Sequence, residues 1–256
     1  MLLQVEKLGI SFGGVRAVDG VDFSVEPGHV AAVIGPNGAG KTTLFNLIAG
    51  TLRPDRGRVL LGGEDVTRLP PHARAARGVA RTFQATHLFE EATVLENAMV
   101  GTLLHTRSGL IEALLHTAGH RRENRESRDR ARAALERVGV AQLADVAVRG
   151  ISQEARKRVA IALALATEPQ LLLLDEPGAG LTPTETARLG DVIRSLAETG
   201  PTVCLIEHKM KFVMSLANRI LVLHHGQRIA EGPPAEVAAD PAVVEAYLGG
   251  SEHARG

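Results

Sequence analysis

Hydrophobic and polar positions along the chain follow two periods. Val21-Asp22-Phe23-Ser24-Val25 alternates with period two, the pattern of a strand buried on one face. Val30–Ile34 and Leu171–Leu174 are unbroken apolar runs, and Thr202–Ile206 is apolar after its first residue. Short runs of this kind predict strands covered on both faces, as in a parallel sheet. Between them lie stretches of helical period. One runs over Thr42–Ala49 and stops at Gly50, a residue suited to the left-handed turn that ends a helix. Another ends near Thr167, a third spans Pro183–Thr199, and a fourth ends near Ala217. Turn signals at Glu26-Pro27-Gly28 and Arg53–Gly57 separate these elements, with a short strand at Val59–Leu61 beyond the second turn. Ile220–Leu223 turns at His225-Gly226 into Arg228–Ala230. Strands alternating with helices predict an α/β protein with a mostly parallel core sheet. From about Leu95 to Leu143 strand signals are absent, and 118–139 carries mixed charge with Ala and Leu on one side. That stretch predicts an amphipathic helix within a helical insertion.

Charge and composition narrow the function. Lys plus Arg number 29 and Asp plus Glu number 29 in 256 residues, which argues against a nucleic-acid binder held by bulk basic charge. The arginines of 118–139 are interleaved with acids and lack aromatic company, so they do not alter that exclusion. With no Trp, one Tyr and six Phe, the core is aliphatic. Cys204 is the single cysteine and has no internal disulfide partner, consistent with a reduced, cytoplasmic setting. The first residues lack the pattern of a signal peptide. No apolar run reaches the roughly 20 residues needed to span a bilayer, and Leu103–Leu115 is broken by His105, Arg107 and Glu112. Work at a membrane therefore requires a partner. The ten histidines are scattered, and neither His116/His120 nor His224-His225 has the company of a metal site.

The chemistry is concentrated in two segments. Gly35-Pro36-Asn37-Gly38-Ala39-Gly40-Lys41-Thr42 fits G-x-x-x-x-G-K-[ST] between a buried strand and a helix; residue frequencies give roughly 0.005 chance matches in a chain of this composition. Glycines let successive backbone N–H groups converge on phosphate oxygens, and the helix N-terminus adds a favourable dipole. Lys41 supplies a point charge for the β and γ phosphates, and the Thr42 hydroxyl a hard oxygen for Mg²⁺. Asp175-Glu176 closes the second buried strand, where one carboxylate can hold Mg²⁺ and the next can polarise an attacking water.

These residues resemble the ATP-binding subunit of an ABC transporter, over nearly the whole chain. Asp175-Glu176-Pro177 with Ala179-Gly180-Leu181-Thr182-Pro183 looks like the family's Walker B and D-loop. Phe83-Gln84 matches the Q-loop, His208 the switch histidine, and Phe12 within Ser11–Gly14 the aromatic that stacks on adenine. The resemblance implies a P-loop NTPase fold with an N-terminal antiparallel β part, in one domain over 1–256. A RecA-like core would cover about 1–83 and 165–256, and a helical subdomain about 84–164. It implies ATP and Mg²⁺ as cofactors and Glu176, His208 and Gln84 as catalytic residues. Nucleotide would be bound by Phe12, Asn37, Gly38, Ala39, Gly40, Lys41, Thr42, Thr43 and Ser152, and Mg²⁺ by Thr42, Gln84 and Asp175. Ile206–Met210, the insertion at 101–150 and the tail Asp240–Gly249 resemble the ATPase of branched-chain amino-acid uptake systems. That subfamily implies a second, different ATPase subunit, a transmembrane permease and, indirectly, a solute-binding protein, at the cytoplasmic face of the inner membrane. A homodimer is the other arrangement. The lipopolysaccharide-export ATPase is similar at several of these points. A soluble ABC ATPase of translation or DNA repair fits less well, since this chain has one cassette and a short insertion. A kinase or GTPase reading leaves 175–183 unexplained, and no Asn-Lys-x-Asp is present.

The family pattern breaks at its signature, Leu-Ser-Gly-Gly-Gln. The equivalent segment reads Ile151-Ser152-Gln153-Glu154-Ala155. In the family this segment faces the γ-phosphate held by the opposite subunit. Glu154 brings a Cβ and a negative charge there, worth about 1 kcal/mol of repulsion per charge pair at 4 Å in water and more in a drier interface. The expectation is a degraded signature and an asymmetric pair, in which this chain's own site is completed by a partner's intact segment.

Overall fold

The computed structural model describes residues 1–82, 88–105 and 118–248. The chain opens with a long hairpin, β1 (Leu3–Phe12) and β2 (Val15–Val25), turned at Gly13-Gly14. β3 (Val30–Ile34) follows and leads through the phosphate-loop sequence into α1 (Lys41–Ala49). Gly50 ends α1 with φ 81°, as its position predicts. Then come β4 (Arg56–Leu61), β5 (Glu64–Asp65), α2 (Pro71–Ala75) and β6 (Val79–Arg81). Among the described residues three α-helices follow: α3 (Val94–Val100), α4 (Ala118–Arg137) and α5 (Gln153–Leu165). The α/β alternation resumes with β7 (Leu171–Asp175), α6 (Pro183–Thr199), β8 (Thr202–Ile206), α7 (Met210–Leu216), β9 (Arg219–His224) and β10 (Gln227–Gly232). Helices α8 (Pro234–Ala239) and α9 (Pro241–Leu248) close the described chain.

Two sheets form. The smaller is antiparallel with order β2-β1-β4-β5, and the larger has order β10-β9-β3-β8-β7-β6. In the larger sheet only the β9–β10 pair is antiparallel. The apolar runs explain its place. Val30, Ala32 and Ile34 of β3 join the core cluster shared with the helices, while Ala31 and Val33 join the cluster under the antiparallel sheet and α1. Leu172 and Leu174 of β7 divide from Leu171 and Leu173 in the same way, as do Val203 and Leu205 of β8 from Cys204 and Ile206. A strand covered on both faces has no polar side to show, so the run is continuous.

Helix signals behaved as local chemistry dictates. α6 starts at Pro183 because Thr182 caps it, with Glu185 reaching back to complete a capping box. Thr93 and Glu96 do the same for α3. The three-residue edge strand β6 lies outside the strands that the sequence predicts, being too short for a periodic signal. α5 begins two residues before Ala155, since the Ser152 hydroxyl accepts a hydrogen bond from the Ala155 N–H at 3.2 Å and caps it.

Candidate functional site

Three neighbouring strand ends assemble the site. The order β3-β8-β7 places the loop after β3, the segment after β8 and the turn after β7 side by side. Register sharpens this: Val33 pairs with Ile206, and Ile206 pairs with Asp175. Residues 35–41, 207–209 and 175–178 therefore leave the sheet at one level. This is where open α/β sheets place their ligands.

The loop is built to accept an anion. Gly38 has φ 79°, and a Cβ there would meet nothing within 4 Å, so its backbone faces open space. Asn37 and Gly38 are exposed, whereas Ala39 is buried and its N–H donates to the Pro36 carbonyl at 3.2 Å. Gly40 caps α1. Lys41 is only 6% exposed and donates to the Gly35 and Pro36 carbonyls at 2.7 and 2.8 Å. Burial pulls its pKa down, opposed by the charges of Glu176 and Asp175, which places both carboxylates in its field. Thr42 is exposed and Thr43 half-buried on the first turn of α1.

Asp175 is buried and Glu176 half-buried. Glu176 has φ 48°, a left-handed conformation uncommon for a non-glycine residue and a mark of local strain. Its N–H donates to the Ile206 carbonyl at 3.0 Å, and its Oε1 lies 3.1 Å from His208 Nε2. An ionised carboxylate only accepts, so this contact requires the tautomer or cation with hydrogen on Nε2. The structure thus brings together Lys41, Asp175, Glu176 and His208. Phe12 is 48% exposed at the end of β1, and Ser152 is exposed at the start of α5; among the described residues neither hydrogen-bonds to that cluster. Gln84 and Phe83 lie outside the described residues.

Several site residues carry no sequence motif of their own. Arg81, at the end of β6, donates to Asp175 Oδ2 at 2.9 Å and to Asn46 Oδ1 at 2.6 Å. Lys157 of α5 is buried, with its ammonium 3.4 Å from the Glu176 carbonyl and its pKa lowered by burial. Glu207 is 2% exposed and its carboxylate accepts the N–H groups of Gly178, His208 and Lys209. The signals were slight: a charge at the end of an apolar strand for Arg81, and adjacency to His208 for Glu207.

Glu154 is where a sequence-based expectation changes. Its carboxylate does not stand alone: Arg158 donates at 2.5 Å and Arg188 at 3.0 Å. Two guanidiniums around one carboxylate leave a net positive cluster, so the repulsion expected of an isolated Glu154 charge is offset. What remains of the departure is bulk, a side chain where the signature has glycine.

The family model described as "ABC transporter" matches residues 18–179, and "Branched-chain amino acid ATP-binding cassette transporter" matches residues 227–253. The chain is 41% identical over 249 residues to the high-affinity branched-chain amino acid transport ATP-binding protein BraF of Pseudomonas aeruginosa, covering 97% of this chain and 98% of that protein. It is equally similar to LivG of Escherichia coli, a protein of the same description, with the same coverage. Among solved structures, a nucleotide-free ATP-binding cassette from an ABC transporter superposes with TM-score 0.84 at 34% identity, covering 96% of this chain and 98% of that one. The ADP conformation of the cassette MJ1267 gives TM-score 0.84 at 34% identity over 97% of this chain and 98% of that one. A phosphate loop beside paired carboxylates and a histidine, on a fold shared with solved cassettes over almost its full length, identifies the chain as a member of the ABC transporter family and an ATP-hydrolysing ATP-binding cassette.

Proposed function

We propose that this cassette hydrolyses ATP to drive uptake of branched-chain or related amino acids through a separate membrane permease. The observation that carries the catalytic part is the convergence of Lys41, Asp175 and the Glu176–His208 pair on three adjacent strand ends. The substrate class rests on the likeness to BraF and LivG. We place the permease on a separate chain and the cassette at its cytoplasmic face, by the same likeness; no helix among the described residues is long and apolar enough to cross a membrane.

In this reading the N–H groups of residues 37–43 and the Lys41 ammonium bind the phosphates, and Phe12 stacks on the adenine. Glu176 takes a proton from the attacking water as its oxygen bonds to the γ-phosphorus and the bond to the β–γ bridging oxygen breaks. His208 Nε2 lies against the Glu176 carboxylate; with ATP bound His208 would hydrogen-bond the γ-phosphate. The Thr42 hydroxyl and Asp175 suit Mg²⁺, whose chemistry is to neutralise charge developing on the phosphates. Gln84 would join them and report to the permease.

The working unit in this proposal pairs the cassette with a second, different ATPase subunit. Its support is the segment Ser152–Ala155, where Glu154, paired with Arg158 further along α5 and with Arg188 of α6, puts a side chain in the first turn of α5 in place of bare glycine backbone. The test is ATP turnover by this chain alone and mixed with the partner ATPase, each with wild-type protein and Glu176→Gln. Glu176→Gln should cut turnover by at least about a hundredfold and trap an ATP-bound dimer. Turnover near wild type removes Glu176 from the role of base. A chain that turns over alone as fast as in the mixture removes the heterodimer.

A further inference from the structure

The residues on either side of His208 hold the backbone N–H and the backbone carbonyl of a single residue, Gly178. Glu207 Oε1 accepts the Gly178 N–H at 2.7 Å, and the Lys209 ammonium donates to the Gly178 carbonyl at 2.7 Å. The same ammonium donates to the Leu181 carbonyl at 2.8 Å and to Thr186 Oγ1 at 3.3 Å. Lysine has three N–H donors, and all three are engaged on the turn after Glu176 and the helix that follows it. None of these acceptors is a carboxylate, so the contact is a clamp on backbone rather than an ion pair. Glu207 Oε2 meanwhile accepts from the N–H groups of His208 and Lys209, at 2.8 and 3.2 Å, which fixes the path of the histidine segment. The space is closed: a Cβ on Gly178 would sit 2.5 Å from Glu207 Oε1. Two carbonyls, those of Gly178 and Leu181, point at one cation. The turn has weaker ties of its own, Ala179 N–H to the Glu176 carbonyl at 3.1 Å and Leu181 N–H to the Gly178 carbonyl at 3.3 Å, but among the described residues only the ammonium joins both the Gly178 and the Leu181 carbonyl to the histidine segment.

We propose that Lys209 is a positioning residue for hydrolysis. It fastens the turn Gly178–Leu181 to the segment carrying His208, so that the turn sets the Glu176–His208 distance. Movement of the turn then becomes movement of the imidazole relative to the carboxylate. This rests on the assignment of Glu176 and His208 made above.

The test uses a Lys209→Cys variant of the full chain, with its partner ATPase present. Cys204 is the one natural cysteine; it is buried and burial raises its thiol pKa, so the new thiol is the reactive one in folded protein. Lys209→Cys should lower kcat by about tenfold or more while leaving the Kd for ATP unchanged. Alkylation with 2-bromoethylamine rebuilds an ammonium at nearly the lysine length and should restore kcat; iodoacetamide, which adds a neutral group, should not. Wild-type kcat in Lys209→Cys overturns the proposal, as does equal recovery with both reagents or parallel loss of ATP binding. Lys209→Arg gives a second reading should the cysteine variant not fold, with reduced kcat and unchanged Kd expected and wild-type kcat overturning the idea. Glu176→Gln is run alongside. Its failure to abolish turnover overturns the underlying assignment, whereas loss there with wild-type kcat in Lys209→Cys overturns the positioning role alone.

Discussion

Arg81→Met removes the cation from a buried pair. Arg81 Nη2 lies 2.9 Å from Asp175 Oδ2, and the two side chains are 9% and 5% exposed. At that separation and an effective dielectric of about 20, the Coulomb attraction is about 5–6 kcal/mol. Part of it is offset by the desolvation of the guanidinium, which the variant recovers. Breaking a buried pair by deleting one partner costs about 3–5 kcal/mol, because the other charge is left uncompensated. The bond to Asn46 on α1 is lost as well. For a chain of this size such a loss lowers the Tm by roughly 6–20 °C. Scanning calorimetry without nucleotide measures that directly. A second arm adds ATP with Mg²⁺ and, separately, ATP with a chelator. Without Arg81 the Asp175 carboxylate keeps the fields of Lys41 and Lys157 but loses its direct ion-pair partner, so Mg²⁺ with ATP should raise the variant's Tm more than the wild type's, and ATP with chelator should not. A stability loss under about 1 kcal/mol refutes the buried-pair reasoning. Equal Mg²⁺-dependent increments in the two proteins refute a link between Arg81 and Mg²⁺ binding at Asp175, the carboxylate proposed above for the metal.

Two other substitutions test the scaffold around the site. Gly178→Ala drives a Cβ against Glu207 Oε1 and within 3.4 Å of Thr186 Cγ2, so it should cost about 1–3 kcal/mol of stability in urea unfolding and slow turnover. Arg74 is 1% exposed and donates to the carbonyls of Leu47, Ile48, Thr67 and Leu69, with its pKa lowered to about 10 by burial. Arg74→Ala strips the C-terminal end of α1 of these donors and should cost about 3–5 kcal/mol by the urea midpoint, with no effect on which nucleotide binds.

What could be read from the sequence was whatever is decided within a few residues. The runs Val30–Ile34 and Thr202–Ile206 gave strands with those bounds, and Pro183–Thr199 a helix with those bounds, because burial on both faces and a capping box are local patterns. The phosphate loop and Asp175-Glu176 were legible for the same reason. Arg81 and Asp175 are 94 positions apart, and Lys209 reaches back 31 to Gly178, so no window of sequence contains either pair. Glu154 shows the limit most clearly. Its charge was visible in the sequence, but the arginine of α6 that helps neutralise it lies 34 residues away.

The strand order also governs when the nucleotide site can exist during synthesis. β3, which precedes the phosphate loop, has only β8 and β9 as sheet neighbours, and its earliest partner residue is Val203. Until about residue 206 has left the ribosome, the first buried strand has both edges bare and the loop after it lacks its scaffold. About four-fifths of the chain must therefore emerge before its central strand is paired. Long-range parallel pairing of this kind is slow, and exposed apolar strand edges invite aggregation. A chain cut short between β7 and β8 would therefore be a hazard to the cell rather than a partly working ATPase, and premature stops in that region should yield insoluble product.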